Sequence, residues 1–443
     1  MALLAGIAPA RAQCTELVTA APKAMGFSTE RLKRLDTLIR QAVDDRQYGG
    51  AVVLLARHGK VVHLESYGEP NLTAGTAGDK NSIFRLYSMS KPLTGAAMML
   101  LYEEGKWSPK DPISKFIPEF ASLKVFKDVD GFGQIRLEEL EHAPTMRELM
   151  THTAGFIYGG GSSPVDPFYR DQQGRGIVNG SPTLHAMIER LAKAPLLYQP
   201  STRWIYSVSV DIQGYIIEKL SGMTMPEFLR RRLFEPLGMQ DTNFYVPKEK
   251  WNRLATLYRV RENDKGGAIT AEAVSDDDLT KANLGRGRDF HQEPSLPSGG
   301  GGMVSTAADY FRFAQMLLNG GELNGVRVLA PSSVKLMMSD HLPESMTSAY
   351  ESDPVLNNTP RLGMGYGYDG AVVVDPGKAD VPMGKGSYLW EGGLGTWFWA
   401  DPVNDIVFVG MVQRTQFPGD KAPPTFTDLQ ELSRAVVYQA LLE

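Results

Sequence analysis

Strand-like segments lie near both ends of this chain, and helical patterns fill its middle. Near the start, "GGAVVLLARHGKVVHLESYG", residues 49–68, is typical of two strands joined around His58-Gly59-Lys60. After residue 361 the apolar period returns to two in short segments divided by turn residues: "GAVVVDP", "GSYLWEGG", "GTWFWADP" and "DIVFVGMVQ". Because each group has too few strands to form a stable layer alone, we expect one antiparallel sheet built from both ends of the chain.

Helical patterns supply the cover for that sheet. Residues 28–45 begin with a serine and an early glutamate and carry leucines at helical spacing, and "DLQELSRAVVYQALLE" is the last strong helical pattern. "TAADYFRFAQMLLNGG" opens with Thr306 and Asp309 in capping-box spacing and ends in glycines. We therefore predict the α/β class in its α+β form: a central antiparallel sheet flanked by helices, with a mostly helical subdomain beside it.

The order of these elements predicts two domains and a terminal extension. Residues 28–83 and 300–443 would form the α/β sheet domain, residues 84–299 the mainly helical domain, and residues 1–27 the extension. Two loops rich in Gly, Pro and Ser, "GFIYGGGSSPVDP" and "EPSLPSGGGGMV", are too short to be interdomain linkers. We expect them to border a cleft between the two domains, with the active site in that cleft.

Bulk composition narrows the classes of partner. With 443 residues, 42% of them hydrophobic, the chain can bury a large core, and its net charge is −5 with Lys and Arg scattered along it. A surface for nucleic acid or for an anionic membrane is therefore not expected, and no apolar run approaches the roughly 18 to 20 residues of a membrane helix. Small neutral or amphiphilic molecules are the expected partners, and the oligomeric state is left open.

Cysteine and histidine usage argues against a cofactor. Cys14 is the only cysteine, so the chain has no intramolecular disulfide and no cysteine-based zinc or iron–sulfur site. The seven histidines show no metal-binding spacing such as His-Glu-x-x-His. We expect neither a metal nor another cofactor.

The first residues, "MALLAGIAPARAQC", resemble the end of an export signal. They combine an apolar stretch with a small-residue cleavage pattern, Ala10-Arg11-Ala12, but lack a basic leader. The protein would be periplasmic or secreted if this segment is a signal remnant, and cytoplasmic otherwise.

The segment "FRLYSMSKPLTGAAMMLLYEEGK", residues 84–106, looks like an apolar helix that begins with Ser88 and has Lys91 one turn further on. Taken alone, such a serine is more often a helix cap followed by a solvated lysine. An (i, i+3) pair, however, projects from one face of a helix with Cβ atoms roughly 5 to 6 Å apart, so the two side chains can share a hydrogen bond. A serine becomes a nucleophile when a base takes its proton, and a lysine at a dry helix start can be that base.

Two further segments carry groups able to meet this pair. Tyr206 stands just before a helical pattern in "PLLYQPSTRWIYSVSVDIQGYIIEKLSGM", where a tyrosine is usually a packing residue. "GSYLWEGGLGTWFWADP" has glycines within a strand pattern, which indicates either a bulge or the close approach of a ligand to the backbone. Neither segment alone decides between its structural and its functional interpretation.

Taken together, Ser88-Met89-Ser90-Lys91, Tyr206-Ser207-Val208 and Trp390-Glu391-Gly392, in that order and at those separations, resemble the serine β-lactamase and penicillin-binding-protein superfamily. "MRELMTHTAGF", "SGGGGMVSTAADYFRF" and "FEPLGMQDT" look like further segments of its class C branch. The likeness extends over nearly all of residues 28–440 and implies a class C β-lactamase-like fold. Within the branch it is closest to the family VIII carboxylesterases, which use this fold to hydrolyse esters.

Two departures from the class C β-lactamases favour an esterase. Those enzymes carry Lys-Thr-Gly on the active-site strand to hold the carboxylate of the antibiotic, whereas this chain has Trp390, Glu391 and Gly392. They also have an asparagine two residues after their tyrosine, where this chain has Val208. An acid beside the site repels a carboxylate, and an apolar pocket suits an uncharged acyl chain. Glu391 also departs from the Trp-Gly-Gly of family VIII; its side chain should point opposite to that of Trp390, and we give it no catalytic role.

The resemblance implies a role for each matching residue. Ser88 would be the nucleophile, and Lys91 with Tyr206 would form the shared base that activates it and later protonates the leaving alcohol. The backbone N–H groups of Ser88 and Gly393 would form the oxyanion hole. Trp390 would line the acyl or alcohol pocket.

The predicted function is that of a serine carboxylesterase acting on short-chain acyl esters through an acyl-enzyme. Weak turnover of cephalosporins is expected beside it, since the same machinery can open a strained amide. A class C-type β-lactamase or a D-alanyl-D-alanine carboxypeptidase is the alternative, and a non-catalytic binding relative is the third. Gly-x-Ser-x-Gly is absent, which argues against an α/β-hydrolase, and His152 lies in a segment that the family uses structurally, which argues against a Ser-His triad.

Overall fold

The computed structural model describes residues 16–69, 79–262, 269–281, 289–343, 346, 362–417, 420–421 and 428–442. Cys14 and the Ala10-Arg11-Ala12 pattern lie outside these residues. In the described part of the chain, no helix has the length and apolar character needed to cross a membrane. Its helices are α1 (Thr29–Asp44), α2 (Ser90–Glu103), α3 (Met146–Met150), α4 (Leu184–Leu191), α5 (Ser209–Ser221), α6 (Met225–Leu229), α7 (Glu235–Leu237), α8 (Asp276–Lys281), α9 (Ala307–Leu318), α10 (Pro331–Met337) and α11 (Leu429–Ala440).

The strands of the described residues are β1 (Gly50–Arg57), β2 (Lys60–Gly68), β3 (Phe84–Arg85), β4 (Val125–Val129), β5 (Ile135–Glu138), β6 (Leu257–Glu262), β7 (Ile269–Val274), β8 (Val304–Ser305), β9 (Glu322–Leu323), β10 (Val326–Arg327), β11 (Met364–Tyr366), β12 (Ala371–Val373), β13 (Tyr388–Glu391), β14 (Trp397–Asp401), β15 (Ile406–Val412) and β16 (Arg414–Thr415). Among these, seven form the central sheet in the order β11-β12-β13-β14-β15-β1-β2, and each neighbouring pair is antiparallel. The late strand β15 pairs with the early strand β1 along its whole length. The predicted sheet, built from both ends of the chain, is confirmed.

Both faces of this sheet are buried, which explains why β1 reads as a continuous apolar run. Val53 and Leu55 pack into the core cluster that contains α1 and α11. Val52 and Leu54, which point to the opposite face because side chains alternate along a strand, pack into the larger cluster that contains α2 and α9. The sheet is therefore covered by helices on both sides, as the α+β prediction requires.

The terminal helices begin at the side-chain caps that their sequences suggest. The Ser28 hydroxyl accepts a hydrogen bond from the Arg31 N–H at the start of α1. At the start of α11, Asp428 accepts from two backbone N–H groups. The internal helix α9 is capped in the same way, since the Thr306 hydroxyl accepts from the Asp309 N–H. The Asp309 carboxylate, however, binds the backbone N–H of Asp241 and does not complete a capping box.

The middle of the chain contains more strand than its helical patterns predict. β4 and β5 form one hairpin, and β6 and β7 form another. The second hairpin is extended by β16, which runs parallel to β6. These strands lie outside the central sheet. The segments that border the candidate site are connected instead to the helices α2, α3, α5 and α9.

Candidate active site

Ser88 lies in a short 3-10 turn, Tyr87–Met89, that leads directly into α2. The prediction that the helix begins with Ser88 is therefore wrong by two residues, because regular α-helix begins at Ser90. It is Ser90 whose hydroxyl accepts a backbone hydrogen bond, from the Met303 N–H at 3.1 Å. No side chain caps the start of α2, so the Ser88 hydroxyl is not a helix cap, and the residue is half-buried at the surface of the site.

The ammonium group of Lys91 is completely buried next to the Ser88 hydroxyl. Its Nζ lies 3.3 Å from Ser88 Oγ and donates to the Gly300 carbonyl oxygen at 2.6 Å. It also lies 4.5 Å from the centre of the Tyr206 ring, where the π face attracts a cation. A buried ammonium group needs such partners, since removing it from water is unfavourable. The first turn of α2 thus keeps the lysine dry and directed at the serine.

Tyr206 brings a second polar group to the same oxygen. Its hydroxyl donates to Ser88 Oγ at 2.7 Å, and the residue is half-buried just before α5. Ser88, Lys91 and Tyr206, which the sequence analysis selects, therefore meet around one hydroxyl oxygen. A serine hydroxyl in contact with a lysine and a tyrosine, each of which can take its proton once it has lost its own, is suited to nucleophilic catalysis.

Asp211 is a buried carboxylate that sequence analysis did not select. It lies in the first turn of α5 and is 1% exposed. It accepts hydrogen bonds from the Ser298 hydroxyl at 2.5 Å and from the Gly300 N–H at 3.1 Å. It thereby holds the loop whose Gly300 carbonyl binds Lys91. The signal for it was an acidic residue within the apolar pattern "SVSVDIQGYII".

The glycine-rich end of β13 packs against the turn that carries Ser88. A Cβ added to Gly392 would lie 2.2 Å from the Leu86 carbonyl oxygen, so this contact accepts no side chain. The Thr396 hydroxyl donates to the same carbonyl at 3.1 Å. Gly393 is exposed in the turn that these contacts anchor. Its role as an oxyanion donor stays a prediction.

Trp390 and Glu391 differ in their surroundings, as adjacent strand residues do. The Trp390 ring is half-buried, 5.8 Å from the Tyr206 ring and 5.3 Å from the Tyr366 ring. Glu391 is exposed. The Trp390 ring therefore gives the site an apolar surface next to Tyr206.

His152 does not hydrogen-bond to Ser88. Its Nδ1 lies 3.1 Å from the Ser207 hydroxyl oxygen, and its ring lies 5.0 Å from that of Tyr206. Burial lowers its pKa well below the ordinary value, and the nearby positive charge of Lys91 lowers it further. The imidazole contacts the Ser207 hydroxyl and not the Ser88 hydroxyl, so in this structure it is not placed to take the Ser88 proton.

Comparisons with known proteins show the family to which this chain belongs. The model of the Beta-lactamase family matches residues 35–431. Protein Rv1367c of Mycobacterium tuberculosis is 34% identical over 378 residues, 85% of this chain and 88% of that protein. Esterase EstB of Burkholderia gladioli is 29% identical over 375 residues, 82% of this chain and 86% of EstB. The solved structure of EstCE1, a hydrolase with promiscuous acyltransferase activity, has a TM-score of 0.67 at 24% identity and covers 92% of this chain and 99% of its own.

Proposed function

The chain belongs to the Beta-lactamase family and is a serine hydrolase of that fold, and from this premise we propose that it is a carboxylesterase acting on short-chain acyl esters. The observation that carries the proposal is the position of Ser88 Oγ, 2.7 Å from the Tyr206 hydroxyl and 3.3 Å from Lys91 Nζ. Trp390 and Gly393 belong to the predicted sheet domain. Ser88, Lys91 and Tyr206 belong to the predicted helical domain, residues 84–299. This division supports a site in the cleft between the two predicted domains.

In the proposed reaction, the reactive enzyme has lost one proton from the Lys91 and Tyr206 pair, and Ser88 Oγ attacks the ester carbonyl carbon while its proton passes to that pair. The carbonyl oxygen becomes an oxyanion, which the backbone N–H groups of Ser88 and Gly393 would stabilise by about 2.7 to 4 kcal/mol each. When the tetrahedral intermediate collapses, the C–O bond to the alcohol breaks, and the same pair returns the proton to that alcohol. Water then attacks the acyl-enzyme, gives its proton to the pair, and releases the acid and the free serine.

The residues beside the nucleophile favour an ester over a β-lactam antibiotic. Glu391 is exposed on the strand next to the site, where a negative charge disfavours a substrate carboxylate. Val208 is completely buried and has no side-chain amide with which to bind the amide of a substrate. The half-buried Trp390 offers an apolar wall to an uncharged chain. EstB, one of the relatives, is named an esterase.

A side-by-side rate comparison tests the substrate class. Purified protein is assayed with p-nitrophenyl esters of increasing acyl length and with nitrocefin, and a Ser88→Ala variant serves as the control for background hydrolysis. We expect the highest kcat/KM for acyl chains of roughly two to six carbons, because the sequence shows no long apolar segment that could cover a longer chain. Nitrocefin should be turned over far more slowly.

A higher kcat/KM for nitrocefin than for the best ester would replace the esterase with the β-lactamase alternative. Release of D-alanine from D-alanyl-D-alanine peptides faster than ester hydrolysis would favour the carboxypeptidase. Equal rates for the wild type and Ser88→Ala on every substrate would favour a non-catalytic relative.

A further inference from the structure

His152 has an unusual backbone conformation directly after α3. Its φ angle is 58°, in the left-handed region that non-glycine residues seldom occupy, and its side chain is completely buried. Histidine, asparagine and aspartate are the non-glycine residues found there most often, and the conformation still costs on the order of 1–3 kcal/mol. The surrounding contacts must therefore hold it in place, and they are concentrated on one neighbouring segment.

That segment is the one that carries Tyr206. The His152 carbonyl oxygen accepts a hydrogen bond from the Ile205 N–H at 2.9 Å. Its imidazole Nδ1 lies 3.1 Å from the Ser207 hydroxyl oxygen. One residue thus binds both sequence neighbours of Tyr206, one through its backbone and the other through its side chain. The imidazole ring also contacts the Tyr206 ring, with centres 5.0 Å apart.

The Ser207 hydroxyl continues this connection into α5. Its oxygen lies 2.8 Å from the Ser209 hydroxyl oxygen and accepts a hydrogen bond from the Ser209 N–H at 3.3 Å. Ser209 is the first residue of α5. The segment is therefore anchored on both sides of Tyr206. The Ile205 N–H binds His152, and the Ser207 hydroxyl binds both His152 and the first residue of α5.

A neutral imidazole can perform this task without disturbing the site. The ring is completely buried, and a protonated His152 imidazole would be repelled by the positive charge of the nearby Lys91 ammonium group. Among the described residues, Nε2 has no hydrogen-bond partner, so the polar contact of the ring is the one with Ser207.

We propose that His152 is a positioning residue for Tyr206, which holds the phenol at hydrogen-bond distance from Ser88 by fixing Ile205 and Ser207. This inference rests on the proposed function, in which Tyr206 exchanges a proton with Ser88. It assigns His152 no contact with substrate. Its effect should therefore pass entirely through the Tyr206 hydroxyl.

Ser207→Ala tests the proposal, because it removes the contact to His152 without changing the left-handed residue itself. It is made in the wild type and in a Tyr206→Phe background, and the rate of phosphonate labelling of Ser88 is followed by intact mass in all four proteins. In the wild-type background, we expect Ser207→Ala to lower the labelling rate and kcat by about tenfold to a hundredfold and to leave KM little changed. A small misplacement of a catalytic group has an effect of this size. In Tyr206→Phe the same change should have less than about a twofold effect, since no phenol remains to be positioned.

A second pair of variants answers the same question if Ser207→Ala does not fold. His152→Asn tolerates the left-handed backbone and places an amide atom where Nδ1 lies, so it should keep labelling within about fivefold. His152→Leu puts an apolar side chain there that cannot bind Ser207. Made in both backgrounds, it should lose at least as much activity as Ser207→Ala in the wild type and less than about twofold in Tyr206→Phe.

Folded Ser207→Ala or His152→Leu with wild-type labelling, together with an inactive Tyr206→Phe, would overturn the positioning role and leave the proposed function intact. An equal loss from Ser207→Ala in both backgrounds would also overturn it, since the effect would then bypass the phenol. A fully active Tyr206→Phe enzyme would overturn this inference and the proposed role of Tyr206 together.

Discussion

The Tyr206 hydroxyl lies 2.7 Å from Ser88 Oγ, although 118 residues separate the two in the sequence. The contact joins the turn before α2 to the segment before α5. Because Lys91 Nζ lies 3.3 Å from the same oxygen, one serine hydroxyl faces two groups that can take its proton.

Replacing Tyr206 by phenylalanine removes one oxygen and keeps the ring. We expect kcat/KM on the best ester to fall by about 10² to 10⁴-fold, the usual contribution of a general acid–base group. The melting temperature should change little, because the ring contacts to Trp390 and His152 remain. Kinetics and thermal unfolding are measured on the same preparation. A variant with activity within about tenfold of wild type and a lowered Tm would instead indicate a packing tyrosine.

Ser88 should be the single site of covalent modification. A p-nitrophenyl phosphonate reacts with an activated serine, and Ser88 is the serine in contact with both Lys91 and Tyr206. Intact-mass analysis should show one adduct, and peptide mapping should place it on Ser88. Ser90, two residues away, is a matched control because its hydroxyl is buried and engaged by the Met303 N–H. An adduct on any other serine would refute the assignment of the nucleophile.

Changing Asp211 to asparagine should weaken the support of Lys91. The carboxylate accepts from Ser298 and from the Gly300 N–H, and hydrogen bonds to a charged group contribute about 1.5–3 kcal/mol. Both hydrogen bonds end on Oδ1, so an amide can keep the acceptor oxygen but loses its negative charge, and the loop that carries the Gly300 carbonyl should be held less firmly next to Lys91 Nζ. We expect kcat to fall by about tenfold or more. Asp405→Asn, at an exposed ion pair with His58, is the control and should leave kcat unchanged.

Gly392→Ala should disturb the turn that carries Ser88. The added methyl group would lie 2.2 Å from the Leu86 carbonyl oxygen, and relieving such a clash costs about 1–3 kcal/mol. Slower labelling of Ser88 and a lower Tm are both expected. Gly160→Ala is the matched control, since nothing lies within 4 Å of a Cβ at that position. Equal behaviour of the two variants would show that β13 does not constrain the Ser88 turn.

The stability of the protein should depend on pH through Asp369. This carboxyl group is completely buried beneath α2 and accepts from Gln213 Nε2 at 2.9 Å, and burial raises its pKa well above the ordinary value. The folded state then keeps a proton that the unfolded chain loses above about pH 3.9, so stability falls as the pH rises, by up to about 1.4 kcal/mol per pH unit.

Asp369→Asn tests this dependence, because asparagine has no proton to lose. The stability of the variant relative to wild type should increase with pH above the ordinary pKa of an aspartate. Urea unfolding of both proteins over a range of pH values gives the difference in the free energy of unfolding. Parallel curves for the two proteins would show that Asp369 titrates as it does in the unfolded chain.

Local patterns explain which parts of the fold could be predicted. The hairpin of β1 and β2 and the capped helices α1 and α11 depend on periodicity and on residues within a few positions of each other. The hairpins β4–β5 and β6–β7 were missed, since they lie outside the central sheet in a part of the chain where helical patterns dominate. The start of α2 was misplaced by two residues because Ser88 lies in a 3-10 turn, Tyr87–Met89, that leads directly into the helix and has no capping side chain to mark the boundary.

By itself, the sequence determined the fold class, and it selected the pair of Ser88 and Lys91 through their three-residue spacing and through the likeness of three segments to one superfamily. Only the tertiary structure decided how that pair is completed. Lys91 donates to Gly300, 209 residues further along the chain, and Asp211 and His152 support the site through contacts with distant loops. Such contacts exist only after the two ends of the chain have formed one sheet and the core has closed around α2, and no local pattern records them.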